Sequence, residues 1–249
     1  MNSIHRSSIF QAAATIVLVA AVTVAGWPIT TNSQEPGFPE CLYAGPGDSQ
    51  RDESRSFRPT EHHDDCVRDV LRVSDFDEVV ATERMFGLPS DQITFIGCAA
   101  APFLTYPASI DPPYRVKIYY PATANADLKK YVAPILHEIG HAYQYRQAGS
   151  IQKLLASLNN SNERIELGAD FLAGLAAKRL KMGPAEFETS FYLVGNYAID
   201  PDSHGNPADR ALAFRYGYNA PQTEQFEDSQ YADFQDNGFA IVKHMGAPR

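Results

Sequence analysis

The run HEIGH at residues 137–141 contains two histidines and a glutamate at a spacing that suits metal binding on a helix. On a helix, residues four apart share one face, so the rings of His137 and His141 can point at one metal ion. Glu138 is turned so that its carboxylate can reach a water molecule beside that ion, as in H-E-x-x-H sites. The run therefore predicts a metal site with an adjacent general base.

A second pair of acidic residues follows in the run ELGAD at residues 166–170. Catalytic zinc takes three protein ligands and keeps one position open. Glu166 and Asp170 are again four apart, so Glu166 can be the third ligand while Asp170 accepts the ring N–H of a ligand histidine. Glu163 is the competing third ligand. We prefer Glu166, because only Glu166 has this aspartate partner.

Two predicted helices position these side chains. The first covers about residues 132–146, where apolar residues surround the HEIGH run. The second covers about residues 163–181, with Asn160 or Ser161 as its N-terminal cap. The pair Gly183-Pro184 stops the second helix, because neither residue favours its continuation.

Upstream of these helices the sequence predicts one helix and two strands. Apolar residues recur at helical spacing over residues 66–86. Apolar or alternating runs predict strands at residues 92–98 and 114–120, and the prolines between them predict a long loop. Further helices are predicted downstream, at residues 184–197, 207–216 (closed by Gly217) and 224–243.

This order of elements predicts an α+β fold, with a small antiparallel or mixed sheet followed by a mainly helical half that carries the HEIGH run. We expect residues 61–249 to form a single domain, because a chain of 249 residues is long enough for one catalytic core. Residues 27–60 are rich in Pro, Gly, Ser and charge, which predicts an irregular lead-in segment.

Residues 1–26 predict export. An uncharged apolar run over residues 9–25 follows Arg6 and ends in small residues, as in a secretory signal peptide cleaved after Ala25. The alternative is an uncleaved N-terminal anchor, with the rest of the chain facing outside. We therefore expect a periplasmic or secreted protein, with membrane contact only if this segment stays uncleaved.

Export changes how the three cysteines are interpreted. In an oxidising compartment, Cys41, Cys66 and Cys98 predict one disulfide and one remaining thiol rather than a metal cluster. Their spacing does not decide which two form the disulfide. Cys98 lies in an apolar run and is equally compatible with a buried free thiol.

Three blocks resemble the bacterial neutral zinc metallopeptidases: HEIGHAYQ at residues 137–144, ELGADFLAG at residues 166–174, and DPDSHG at residues 200–205 with Arg210. More broadly, H-E-x-x-H followed by E-x-x-x-D is similar to the gluzincins. The resemblance covers about a third of the chain. It implies a zincin-like fold and one catalytic zinc ion, held by the two histidines of the first block and by Glu166.

The resemblance also implies roles in peptide hydrolysis. Glu138 would be the general base that takes a proton from water and delivers it to the leaving amine. Four side chains are candidates for stabilising the oxyanion: His204, Tyr143, Tyr145 and Arg210. His204 leads because it lies in the third block. The predicted strand at residues 114–120 has two interpretations: it is a core strand only, or, as in zincins, it is a strand to which an extended substrate adds.

We therefore expect an exported zinc metallopeptidase that acts on peptide or protein substrates. One alternative is a non-catalytic exported zinc-binding or interaction protein that keeps the fold, although the presence of Glu138 speaks against it. A second is a zinc hydrolase that acts on a non-peptide amide. The formal net charge of −9 argues against a nucleic-acid partner, because phosphate binding needs a basic surface.

Export is testable by intact-mass measurement after expression in a bacterium with a working secretion system. We expect the mature chain to begin at Gly26 or Trp27, since small residues precede that point. A full-length chain in the membrane fraction would indicate the anchor instead. A full-length chain in the cytoplasm would contradict export.

Overall fold

A small mixed sheet comes first along the chain and is followed by helices. This computed structural model describes residues 65–99, 101, 103–109, 114–122, 132–184, 206–223 and 226–246. All of these residues belong to one compact unit, Phe38–Arg249. The predicted α+β class is confirmed, with a four-stranded mixed sheet and a mostly helical remainder.

Four strands form the sheet: β1 (Val67–Arg68), β2 (Ile93–Cys98), β3 (Leu104–Ser109) and β4 (Arg115–Pro121). Their order across the sheet is β1-β2-β4-β3. β2 and β4 are parallel, with Phe95 opposite Ile118, whereas β1 and β3 run antiparallel to their neighbours. A disulfide between Cys66 and Cys98 joins the start of β1 to the end of β2. The predicted disulfide is thus confirmed and its two cysteines are identified; Cys41 lies outside the described residues.

The segments beside the two predicted strands differ from the prediction. The helix predicted at residues 66–86 is present only as α1 (Asp77–Met85), because Asp69 and Arg72 adopt positive φ angles and β1 pairs with β2 instead. The predicted loop between the strands contains β3. Pro107 is compatible with this strand because β3 is an outer strand of the described sheet and its pairing with β4 is irregular between Pro107 and Ser109.

β4 lies inside the sheet. It pairs with β2 on one side and with β3 on the other, so its backbone hydrogen-bonding groups are used within the sheet. Of the two interpretations of residues 114–120, the core strand is therefore confirmed and the substrate-accepting strand is wrong. Among the described strands, β3 is the outer strand on that side of the sheet, so its edge away from β4 is the one left for an added strand.

Six further helices and a π-helical turn are described: α2 (Val132–Ala148), α3 (Ile151–Ser157), α4 (Asn162–Arg179), α5 (Pro207–Asn219), α6 (Asp228–Asp233), the turn Phe234–Gly238, and α7 (Phe239–Gly246). The Ser161 side chain accepts a hydrogen bond from the N–H of Arg164, which confirms one of the two predicted caps of α4. Gly149, at φ 76°, ends α2.

Two other predicted elements have different outcomes. The single C-terminal helix predicted at residues 224–243 is divided by the π-helical turn into α6 and α7. The helix predicted at residues 184–197 lies almost entirely outside the described residues. None of the described helices has the length and apolar composition needed to cross a membrane.

α2 is the central helix. All of its residues from Val132 to Tyr145 are buried, and it packs against β3, β4 and α4. An amphipathic surface helix would keep its polar residues in water, whereas α2 buries two histidines, a glutamate and a glutamine. Buried polar groups need hydrogen-bond partners. The neighbours of α2 must therefore supply them.

α4 and α5 approach each other so closely that side chains cannot fit between them. A Cβ atom on Gly174 would lie 2.1 Å from the backbone oxygen of Phe214, and one on Gly217 would lie 2.0 Å from that of Phe171. Only glycine leaves the backbones this room. Gly217 consequently lies inside α5, and the prediction that it closes the helix after residue 216 is wrong.

Gly217→Ala should lower the free energy of unfolding by about 1–3 kcal/mol or more, because the new methyl group forces α4 and α5 apart. Asn219→Ala, an exposed change two residues further along α5, is the control and should stay within about 0.5 kcal/mol of the wild type. Urea unfolding of the three proteins measures both effects. Equal stability of Gly217→Ala and the wild type would contradict the described helix contact.

Candidate metal centre

Three buried side chains from two helices converge on one point. Nε2 of His137 lies 3.3 Å from Oε2 of Glu166, and Nε2 of His141 lies 3.5 Å from Oε1 of the same carboxylate. The three donor atoms all lie within 4.8 Å of one another. His137, His141 and Glu166 therefore form a buried group that could hold a metal ion. Glu163, the competing ligand, instead pairs with Lys243 at 2.7 Å.

Asp170 orients His137. Its Oδ1 atom lies 2.8 Å from Nδ1 of His137, as the E-x-x-x-D spacing predicts. Arg210 donates to the same carboxylate, through Nε at 2.7 Å and Nη2 at 2.9 Å. An ionised carboxylate only accepts, so Nδ1 of His137 carries the hydrogen of this bond. In the neutral ring, Nε2 is then the lone-pair atom that faces Glu166.

Gln144 contacts His141 in the way that Asp170 contacts His137. Its Oε1 atom lies 2.9 Å from Nδ1 of His141, and its Nε2 atom donates to the backbone oxygen of Ile165 at 2.8 Å. A carbonyl oxygen cannot donate, so the amide nitrogen must face Ile165 and the amide oxygen must face the histidine. Sequence reasoning missed this role, although Gln144 follows His141 by three residues and so shares its helix face.

Burial and neighbouring charged groups shift the pKa values of the site residues in opposite directions. Burial lowers the pKa of His137, but the Asp170 carboxylate and a hydrogen bond to Glu166 outweigh it and raise this pKa to about 9. Burial raises the pKa of Glu166, but the two histidines hold it well below its usual range. The pKa of Asp170 is also lowered, since Arg210 and His137 outweigh its burial.

Glu138 is held by the sheet. Oγ1 of Thr105, on β3, lies 2.7 Å from Oε2 of Glu138 and 2.8 Å from its backbone oxygen. The Glu138 residue is only 1% exposed. Glu138 is thus supported from within the core, not simply placed in an open cleft. Thr105 was missed because it lies in the segment that was predicted to be a loop.

The other candidates for stabilising an oxyanion have different positions. His204 lies outside the described residues. Tyr143 donates its hydroxyl to Asp228 at 2.7 Å, and Arg210 is buried against Asp170. The ring of Tyr145 lies stacked on that of His141, with their centroids 6.3 Å apart. Arg210 therefore supports the orientation of His137 through Asp170.

The donor set fits a divalent metal that takes two neutral imidazoles and a carboxylate. Each histidine directs Nε2 towards Glu166, because an oxygen acceptor lies at hydrogen-bonding distance from its Nδ1. The chain is therefore an α+β protein with a buried His-His-Glu group that could hold a metal ion. No protein family model, curated protein or solved structure matches the chain.

Metal affinity should rise with pH between about 7 and 9. Because the pKa of His137 is raised to about 9, both ring nitrogens of His137 carry a hydrogen in the metal-free protein at neutral pH. A metal must displace one of these two protons. One displaced proton predicts a gain of about tenfold in affinity per pH unit, which levels off above the raised pKa.

Zinc titrations at several pH values, in buffers of different ionisation enthalpy, measure both the affinity and the protons released. We expect His137 to contribute about one released proton per zinc ion at pH 7 and about half a proton at pH 9, and a proton lost from a zinc-bound water adds to this number. An affinity that does not change across this range would contradict the described environment of His137.

Proposed function

We propose that this chain is an exported, zincin-like zinc metallopeptidase. The observation that carries the proposal is the convergence of His137, His141 and Glu166, with Glu138 next to His137 on the same helix. A structural zinc site uses four protein ligands and has no use for a further carboxylate beside the metal. Catalytic zinc uses three protein ligands and keeps one position open. The described group offers three donors of this kind, which supports the proposal.

Two imidazoles and one carboxylate form a ligand set used by zinc peptidases. Zinc bound there would acidify a water molecule and polarise the carbonyl group of a substrate. The protein's own contribution begins with orientation. Asp170 and Gln144 fix the two rings so that both Nε2 atoms face Glu166, and Arg210 keeps the Asp170 carboxylate in place.

Glu138 would move the proton. Its carboxylate would accept a proton as the O–H bond of the attacking water breaks and a C–O bond forms at the carbonyl carbon of the substrate. It would then donate this proton to the leaving amine nitrogen, so the peptide C–N bond breaks and an N–H bond forms. The Thr105 hydroxyl bonds Oε2 of Glu138, which restricts the rotation of the carboxylate. A base held in one orientation reacts more readily than a rotating one, because its entropy has already been lost.

A peptide substrate is supported by the position of β3. Thr105 belongs to this strand and contacts Glu138, so the strand passes beside the general base. Within the described residues, β3 pairs with β4 on one side and presents its other edge. An extended peptide added to that edge would bring its backbone close to Glu138, with main-chain hydrogen bonds supplying affinity.

Export is supported by the Cys66–Cys98 disulfide. Disulfides of this kind persist in oxidising compartments and are rare in the cytoplasm. Together with the apolar run at residues 9–25, the disulfide favours a periplasmic or secreted protein. A chain anchored by that run and facing outside remains the alternative localisation.

A non-catalytic zinc-binding protein is the alternative function. It would use the same three ligands, but it would not need Glu138 or the Thr105 contact. Cleavage of peptides by the zinc-loaded protein therefore discriminates between the two functions.

Glu138→Gln should abolish cleavage while zinc stays bound. The amide oxygen still accepts from Thr105, but it cannot take a proton from water, which typically costs about 10²–10⁴-fold in rate. The measurement is digestion of a diverse peptide library, followed by mass spectrometry, with and without chelator. Zinc content is determined for every sample.

Glu163→Gln is the matched control, because Glu163 is on α4 and pairs with Lys243 instead of facing the metal group. It should cleave like the wild type. Equal cleavage by Glu138→Gln and the wild type would refute Glu138 as the base. A zinc-loaded wild type that cleaves no peptide would favour the non-catalytic alternative.

A further inference from the structure

A chain of hydrogen bonds runs from His141 to the C-terminal segment. Gln144 accepts from Nδ1 of His141 through Oε1, and its Nε2 atom donates to the hydroxyl oxygen of Tyr231 at 3.0 Å. Nε2 of Gln235 donates to the same hydroxyl oxygen, also at 3.0 Å. Tyr231 belongs to α6 and Gln235 to the π-helical turn. These hydrogen bonds therefore join α2, which carries both histidines, to the last part of the described chain.

Gln235 is itself fixed by α4. Its side-chain nitrogen donates to the backbone oxygen of Arg164 at 3.1 Å, and Arg164 Nη1 donates to the backbone oxygen of Gln235 at 2.7 Å. The π-helical turn Phe234–Gly238 places Gln235 in this position. Such turns are frequent at functional sites, because the extra residue redirects a side chain.

Gly168 of α4 provides the space for this chain. A Cβ atom there would lie 2.5 Å from Nε2 of Gln235, 2.7 Å from Nε2 of Gln144 and 3.0 Å from the hydroxyl oxygen of Tyr231. All three polar side chains therefore meet over one glycine. Gln144 is fully buried and Gln235 nearly so, which makes their hydrogen bonds stronger than they would be in water.

The donors and acceptors permit one orientation of Gln144. Turning its amide over would place Oε1 against the backbone oxygen of Ile165, leaving two buried acceptors in contact. In the observed orientation, Oε1 can only accept from His141, whose Nδ1 must then carry the hydrogen. This tautomer leaves the Nε2 lone pair of His141 for a metal.

We propose that Gln144 is a positioning residue for the metal ligand His141, and that Tyr231 and Gln235 hold Gln144 in its active orientation. The C-terminal segment thereby sets the metal affinity from outside the ligand group. This inference rests on the proposed metal function of His141. It concerns residues of this chain that touch no metal themselves.

A purely structural cross-link between α2 and the C-terminal segment would behave differently. It would affect the stability of the fold, but zinc affinity would not depend on whether residue 144 can accept a hydrogen bond from His141. Replacing Gln144 by side chains of similar size that can or cannot accept a hydrogen bond distinguishes the two roles. Zinc alone and Co²⁺ alone are the probes, so the test does not need a substrate.

Gln144→Met keeps the size of the side chain but cannot accept from Nδ1 of His141, whereas Gln144→Glu keeps an acceptor oxygen. In Gln144→Glu the second carboxyl oxygen lies against the backbone oxygen of Ile165, so part of the orientation is lost although the acceptor for His141 is kept. We expect zinc binding to weaken by about 10–100-fold in Gln144→Met and by clearly less in Gln144→Glu. Gln147→Met is the matched control. Gln147 bonds Asp228 of α6 at 3.1 Å from the same helix, without contacting His141, and its variant should bind zinc like the wild type.

Tyr231→Phe keeps the ring and removes the hydroxyl, so it tests the second link without a large change in packing. We expect roughly two- to tenfold weaker zinc binding, equivalent to one neutral hydrogen bond. The double variant Gln144→Met/Tyr231→Phe should bind no more weakly than Gln144→Met alone, because Tyr231 acts only through Gln144.

Equilibrium competition with a chromophoric chelator gives the zinc affinities, and the visible spectrum of the Co²⁺ form should change in Gln144→Met but not in Gln147→Met. Equal zinc affinity of the wild type and Gln144→Met, equal losses in the Met and Glu variants, or additive losses in the double variant would overturn the proposal alone. A wild type that binds neither metal would overturn the proposed metal function and this inference together.

Discussion

The buried carboxylate of Asp170 joins the three helices that form the site. It belongs to α4, lies 2.8 Å from Nδ1 of His137 on α2, and accepts two hydrogen bonds from Arg210 on α5. Removing one partner from a buried charged group typically costs about 3–5 kcal/mol. The carboxylate therefore permits one arrangement of these helices, and in that arrangement Nε2 of His137 faces Glu166.

Small residues make that arrangement sterically accessible. Gly174 and Gly217 let α4 and α5 touch through their backbones, and a Cβ atom on Gly140 of α2 would already lie 3.1 Å from the backbone oxygen of Ala169 on α4. The helices come close enough for short polar side chains to bridge them. The remaining polar groups of α2 have partners too: Glu138 contacts Thr105 of β3, and Gln144 links His141 to the backbone oxygen of Ile165 on α4.

The sequence predicts the parts of this site that depend on local geometry. Residues four apart on one helix face single out His137 with His141 and Glu166 with Asp170, and the cap of α4 is limited to Asn160 or Ser161. These signals need no tertiary information. The strand β3 and the continuation of α5 through Gly217 could not be predicted in this way. Both depend on neighbours: an edge position tolerates the proline, and a facing backbone requires the glycine.

X-ray absorption at the zinc edge of the purified protein counts the ligands of the bound metal and identifies their types. We expect one zinc per chain with nitrogen and oxygen neighbours at about 2.0–2.2 Å, two of them imidazole nitrogens, and no sulfur. These signals should disappear in His141→Ala. A protein that takes up no zinc, or whose zinc has sulfur neighbours at about 2.3 Å, would contradict the His137–His141–Glu166 centre.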